Sequence, residues 1–257
     1  MRTYTKEGLI LALQKIRDIG WIATGRKNND GGVGNTIEDL LGIEENNLPI
    51  PNAAEWELKA QKKDTSSLVT LFHMEPSPRA YKFVPLILLP VFGWRHKEAG
   101  TKYPQNEKSF RQTINANTYS NRGFSVKVDK NNKKILVDFN HEFIDLQAHT
   151  KWADSLKNEE LKPQPYWGFD DLFHKAGTKL HNCFFMLAKS KKIDGILHFH
   201  YQEIFVLKTL DIEKFINAIG NGDVYIDFDA RTGHNHGTKF RLKREALTNL
   251  YAEVEQY

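Results

Sequence analysis

The chain has 257 residues, 26% of them charged and 40% hydrophobic, with a net charge of +4. That balance excludes collagen-like, disordered and coiled-coil classes, and the length allows a substantial core. The charge tolerates a polyanionic partner without requiring one.

A single cysteine, Cys183, excludes a disulfide framework and a cysteine-rich zinc module. The longest apolar run, residues 83–92, falls well short of the ~20 residues of a membrane span and carries Pro85 and Pro90. Met1 to Glu7 reads as the start of a charged helix rather than a signal peptide. The expectation is a soluble protein of a reducing compartment, without membrane contact.

In chain order, Leu9, Leu13, Ile16 and Ile19 predict an amphipathic helix over 5–19. Residues 26–35 read as a polar, glycine-rich loop. Thr36, with Asp39 three residues on, suits an N-cap, and Gly42 suits the stop of a short helix carrying Glu38. Residues 55–60 and 67–73 read as strands. Residues 76–123 mix Pro, Gly, Asn and basic residues and predict loops and short helices. Strands follow at 124–129 and 134–139, a helix at 169–181, and a buried strand at Cys183–Ala188. Residues 195–207 and 223–229 alternate as strands. Between them Asp211 caps a helix with Ile212, Phe215, Ile216 and Ile219 inward and Gly220 as its stop. Residues 242–254, with Leu247, Leu250, Tyr251 and Val254, predict a closing helix. Interleaved strands and helices favour an α/β or α+β sheet with flanking helices. No linker stands out, so residues 1–257 read as one domain.

The most informative stretch is Glu55-Trp-Glu57-Leu-Lys59. On a strand Glu55, Glu57 and Lys59 share one face, while Trp56, Leu58 and Ala60 share the other. Phosphodiester hydrolysis needs a hard cation on carboxylate oxygens and gains from a nearby lysine, which this row supplies. By itself a Glu-x-Lys pair is more often a solvated surface pair.

His234-Asn235-His236 and Arg241 follow a strand in a Gly- and Thr-rich context. His and Asn both donate and accept at base edges, and Arg binds guanine bidentately. Two competing readings are a turn with solvated histidines and a zinc site that adds His198 and His200. Asp227 and Asp229 share a strand face and either bind a cation or pair with Arg231 or Arg241. Arg79, Arg95, Arg111 and Arg122 are candidate phosphate contacts, with surface solvation the default for each. Trp94, Trp152 and Trp167 read as packing, and Cys183 as an inert core thiol.

Taken together, four blocks resemble the MvaI/BcnI family of restriction endonucleases, which is similar to the mismatch-repair nickase MutH. They are Gly34-Asn-Thr-Ile-Glu38-Asp-Leu-Leu-Gly42, Glu57-Leu-Lys59, Leu68 through His73 to Arg79, and Asp227 through His234 and His236 to Arg241. The resemblance runs through most of the chain. It implies a PD-(D/E)xK nuclease fold, a mixed central sheet flanked by helices with the active site at one sheet edge, a catalytic sub-lobe in the N-terminal half and a DNA-recognition sub-lobe in loops including 228–242. It also implies Mg²⁺-dependent cleavage, with Mn²⁺ able to substitute, of short, G/C-containing, nearly palindromic double-stranded DNA. The enzyme would be a cytoplasmic monomer of a bacterial or archaeal cell that cuts one strand at a time. Its cognate DNA methyltransferase would be encoded separately rather than bound as a subunit.

Carried over by position, Glu57 is a metal-binding acid and Lys59 the catalytic lysine. Glu38 matches a helix carboxylate that holds metal indirectly or orients water. The family's first acid falls at position 52, where this chain has Asn52. As a metal ligand, that amide predicts weakened metal binding and slowed cleavage. His73, Arg79, Arg231, His234, Asn235, His236 and Arg241 would contact DNA, with His73 and the 234–236 loop in the major groove. The rival readings are a sequence-specific DNA binder that has lost cleavage, a MutH-like strand nickase, and a zinc enzyme built on the histidines.

Overall fold

The computed structural model describes residues 4–25, 32–43, 55–156 and 159–257. The first elements in chain order are α1 (Lys6–Ile19), β1 (Ile22–Ala23), α2 (Gly32–Leu41), β2 (Glu57–Lys62), β3 (Val69–His73), α3 (Leu89–Phe92), β4 (Trp94–Arg95), β5 (Lys108–Ile114), β6 (Arg122–Asp129) and β7 (Lys134–Ile144). They are followed by α4 (Leu146–Ser155), β8 (Tyr166–Gly168), α5 (Phe169–Leu180), β9 (Asn182–Ile193), β10 (Ile196–Leu210), α6 (Ile212–Gly220), β11 (Val224–Arg231), β12 (His234–Asn235), β13 (Lys239–Leu242) and β14 (Tyr251–Gln256). No helix among the described residues is long and apolar enough to cross a membrane. The chain forms two compact units. One draws on Met1–Val69, His174–Lys214 and Leu247–Tyr257, the other on Thr70–Phe173 and Phe215–Ala246.

In the first unit the sheet order is β1-β10-β9-β2, and β14 also pairs with β10. Strand β2 runs parallel to β9, with Glu57 beside Cys183 and Lys59 beside Phe185. The remaining ladders of this sheet are antiparallel. Helix α1 starts where the Thr5 hydroxyl accepts the Gly8 N–H at 3.1 Å. Its Leu9, Leu13 and Ile16 join Ile37 and Leu41 of α2, Leu58 of β2, and Phe184 and Phe199 in one buried cluster. Trp56 packs edge-on against Phe184, with centroids 4.8 Å apart.

Helix α2 starts one turn earlier than the sequence reading has it, and Thr36 lies buried inside it rather than capping it. Val33, Ile37 and Leu41 recur every four residues, so the buried stripe continues past the apparent cap and the helix with it. Its end follows expectation. Gly42 at φ 67 donates to Asp39 O and Ile43 N–H donates to Glu38 O, a Schellman stop.

The closing helix predicted over 242–254 does not form. Two 3-10 turns, Arg244–Ala246 and Thr248–Leu250, lead instead into β14. The turns bury Leu247 and Leu250, and β14 pairs along an edge of β10, with Val254 opposite Leu207. An available strand edge outweighs local helical spacing here.

In the second unit, one sheet has the order β3-β13-β11-β5-β4 with β12 on β11, and another the order β6-β7-β8. Strand β11 alternates strictly: Val224, Ile226, Phe228 and Ala230 are buried, and the residues between them are half-exposed. Phe110, Phe228 and Phe124 pack edge to face beneath that sheet. The reading of 76–123 as loops and short helices misses β4 and β5. Strand β5 is polar on its open face and is held by ladders to β11 and β4, which local composition does not reveal. The apolar run 83–92 forms a π-helical turn, Val84–Leu88, and α3, with Phe83, Val84, Leu88, Leu89 and Phe92 buried.

Candidate functional site

Two clusters carry chemistry, one in each unit. The first stands on β2. Because β2 pairs in parallel with β9, its polar row is enclosed rather than solvated. Glu57 is only 4% exposed. Its Oε1 lies 3.1 Å from Lys59 Nζ and 3.7 Å from Lys179 Nζ, contributed by the last turn of α5. Its Oε2 is buried and has no hydrogen-bond partner among the described residues. Glu55 does not extend this row as expected. It is exposed and sits in a turn before the strand begins.

Beside Glu57, burial pushes the Cys183 thiol up to about 12 and raises the Tyr251 phenol well above its usual range. Tyr251 donates its hydroxyl to Leu180 O at 3.0 Å. Glu38 is half-buried on α2, which packs against β2. The Tyr201 phenol is raised first by burial and then by the Glu38 charge, and it donates to Val33 O at 2.6 Å. Asn52 lies outside the described residues. A buried carboxylate oxygen with no donor is what a hard cation would satisfy, so Glu57 fits one ligand of a Mg²⁺ site.

The second cluster is the half-exposed face of β5, β11 and β13. The register places Asp227 between Thr113 and Lys239, and Asp229 beside Arg111. Asp227 accepts from the Thr113 hydroxyl at 2.9 Å and lies 3.5 Å from Arg241 Nη1. Asp229 lies 3.1 Å from Arg111 Nε and 3.5 Å from Lys239 Nζ. The aspartates therefore already have cationic partners on neighbouring strands. Arg231 does not pair with them. Its Nη1 donates to the buried Glu107 at 3.1 Å, and its guanidinium stacks 4.6 Å from the centre of the Tyr103 ring.

After the Thr232-Gly233 turn come His234, Asn235 and His236, all exposed or nearly so, with the two imidazoles edge to face at 4.2 Å. His73 is exposed at the end of β3, and a Cβ on Gly237 would come within 3.4 Å of its ring. The structure thus brings His73 to the loop carrying the His-Asn-His triplet. Arg79 stands exposed on a 3-10 turn, Arg79–Tyr81.

The zinc reading is not supported. Among the described residues no three His, Cys, Asp or Glu side chains gather as a metal site. His198 and His200 stand on β10 in the first unit, while His234 and His236 belong to the second. Arg122 is not placed as a phosphate contact either. Its guanidinium is held 4.0 Å from the Trp94 ring centre and 4.8 Å from that of Trp152, and burial lowers its pKa to about 10. Sequence reasoning missed Lys179, Tyr103, Glu107 and Lys239. The alternation of Lys239, Phe240, Arg241 and Leu242 along β13 is the available signal for Lys239. Lys179 has none, because only the β2–β9 pairing and the course of α5 bring it to Glu57.

A mixed sheet flanked by helices, with a buried Glu-x-Lys strand, is the architecture of a PD-(D/E)xK-like nuclease fold. The family profile agrees with that class over residues 10–251, and the chain belongs to the MvaI/BcnI restriction endonuclease family. Among solved structures it is similar to the restriction endonuclease MvaI in complex with its cognate DNA substrate, at 25% identity and a TM-score of 0.77, covering 99% of each chain. It is also similar to MvaI in the absence of DNA, at 25% identity and a TM-score of 0.55, covering 100% of this chain and 99% of the other. No curated protein matches the chain by sequence.

Proposed function

We propose that this protein is a type II restriction endonuclease that hydrolyses phosphodiester bonds within a short G/C-containing site in double-stranded DNA. The observation that carries the reading is the buried Glu57, one oxygen facing two lysines and the other without a hydrogen-bond partner among the described residues, in a chain of this family. Mg²⁺ held by Glu57 and the side chain at position 52, with Mn²⁺ able to replace it, would polarise the phosphate and acidify water.

In this reading water attacks phosphorus in line and one P–O bond breaks. Lys59 supports the nucleophile or the charge developing on the phosphate, and Lys179 adds a second ammonium for that charge. Glu38 orients water. In the second unit His73, His234, Asn235, His236 and Arg241 read base edges, while Arg79 and Arg231 hold the backbone. The protein acts as a cytoplasmic monomer, and a separately encoded methyltransferase protects the host site.

Plasmid digestion with Mg²⁺, followed by run-off sequencing of the products, tests the reading. Cuts at one recurring sequence are expected, with cleavage lost in EDTA and in Glu57→Gln. Full cleavage in EDTA would contradict it. Asn52 favours a second reading, a DNA binder with weakened or lost cleavage, because an amide is a poorer ligand for a hard cation than a carboxylate. Nicked rather than linear plasmid would instead indicate a strand nickase.

A further inference from the structure

Residues 236–238 link β12 to β13 and carry little strand pairing of their own. His236 N–H donates to Asp229 O, and Thr238 O accepts the Met74 N–H at 2.9 Å. Glycines at φ 72 and φ 83, Gly233 and Gly237, flank the His-Asn-His triplet. Both lie in the left-handed region that glycine enters freely, so the backbone alone leaves this loop many conformations.

Glu75, two residues beyond β3, removes that freedom. Its Oε1 accepts the Thr238 N–H at 2.9 Å and the Asn235 side-chain amide at 3.4 Å. Its Oε2 accepts the Thr238 hydroxyl at 3.2 Å. Thr238 is 1% exposed, so its N–H has no recourse to water. Asn235 in turn accepts the Gly237 N–H at 2.9 Å through Oδ1. One carboxylate thus braces both ends of the His234–Thr238 segment and keeps Gly237 against His73.

We propose that Glu75 is the positioning residue for sequence discrimination: it orders the His234-Asn235-His236 loop before DNA arrives. The inference rests on the DNA-reading role given to that loop. A negative charge beside a nucleic-acid surface contributes nothing to phosphate binding and opposes it. A carboxylate in this place is therefore explained by order rather than affinity. Donors and acceptors held in advance discriminate between bases better than ones that must be ordered on binding. Loss of Glu75 should accordingly weaken binding to selected DNA without weakening binding to random DNA, whereas a purely structural role would weaken both.

The test starts from duplexes that the unaltered protein enriches from a randomised pool. Kd values for an enriched duplex and for random duplex are compared in EDTA, which prevents cleavage, with thermal unfolding followed in parallel. Glu75→Met should lower the ratio of random to enriched Kd by about tenfold, with random binding unchanged or tighter. Glu75→Asp, which keeps the charge but cannot span both partners, should lower it by about threefold. Glu75→Gln should retain the ratio, since its oxygen accepts the Thr238 N–H and its amide donates to the Thr238 hydroxyl. If Glu75→Met fails to fold, the contrast between the Asp and Gln variants decides. A ratio kept by the Met and Asp variants, including an equal rise in both Kd values, overturns the role of Glu75. If the unaltered protein enriches no sequence, the DNA-reading function itself fails.

Discussion

Glu57 presents one oxygen to two ammoniums and keeps the other buried, with no hydrogen-bond partner among the described residues, which is a costly arrangement for a strand that needed only to be stable. On the proposed chemistry, Lys179→Met should slow single-turnover cleavage by about 10²-fold while leaving DNA binding within about twofold. Equal cleavage by the variant would reduce Lys179 to packing. Asn52→Asp should cut plasmid far faster than the chain as it stands, with similar DNA affinity in EDTA. Equally fast cutting by the Asn52 chain would remove position 52 from the metal ligands. Arg241→Ala should cost roughly 1–3 kcal/mol on enriched duplex and much less on random DNA, measured by titration. An equal loss on both would assign Arg241 to phosphate contact or to its pairing with Asp227. The residues that could be named from sequence were those inside short motifs, such as Glu57 with Lys59 and His234 with His236. Lys179 and Glu75 could not be named, because each meets its partner only through strand pairing distant in the chain.

At the scale of elements, β14 shows how a terminal segment is secured. Lys208 of β10 bonds Glu253 and Glu255, and Lys6 of α1 bonds Glu255 at 2.9 Å. The bonds from Lys208, Tyr257 and Lys6 hold the Glu255 carboxyl down at about 2, against an ordinary 4.5. A carboxyl depressed in the folded state adds stability above its unfolded pKa and loses it as pH falls through the folded value. The contribution of Glu255 should therefore be complete above pH 4.5 and disappear between 4.5 and about 2. Urea midpoints across that window should fall less steeply for Glu255→Gln than for the unaltered protein; parallel slopes would contradict the assignment. Within the sheet, Phe184→Ala should cost about 3–5 kcal/mol in urea unfolding, since the ring is fully buried against Trp56.

For the molecule as a whole, the Glu57 row belongs to one unit and the charged sheet face with its histidine loop to the other. On the proposed function these would divide cleavage from recognition, and both would act on one polyanion. DNA affinity should then fall linearly on a log–log plot against salt, with a slope of about −0.9 per phosphate neutralised. Arg79→Ala should reduce that slope by about one and weaken enriched and random duplex alike. A loss confined to the enriched duplex would move Arg79 among the base-reading residues.

The sequence by itself determined what depends on neighbours a few residues away. Helical spacing defines α1 and α6, alternation defines β11, and Gly42 stops α2. The ordered motif blocks are enough to place the chain in its family. Only the tertiary structure decided the elements whose reason lies elsewhere in the chain. The edge of β10 takes up β14 in place of a helix. The stripe of Val33, Ile37 and Leu41 carries α2 past Thr36. The parallel ladder to β9 encloses the Glu57 row that would otherwise be solvated. The physical reason is common to all three. Burial and backbone pairing are settled by partners remote in sequence, and their free energy exceeds the local preferences that a sequence displays.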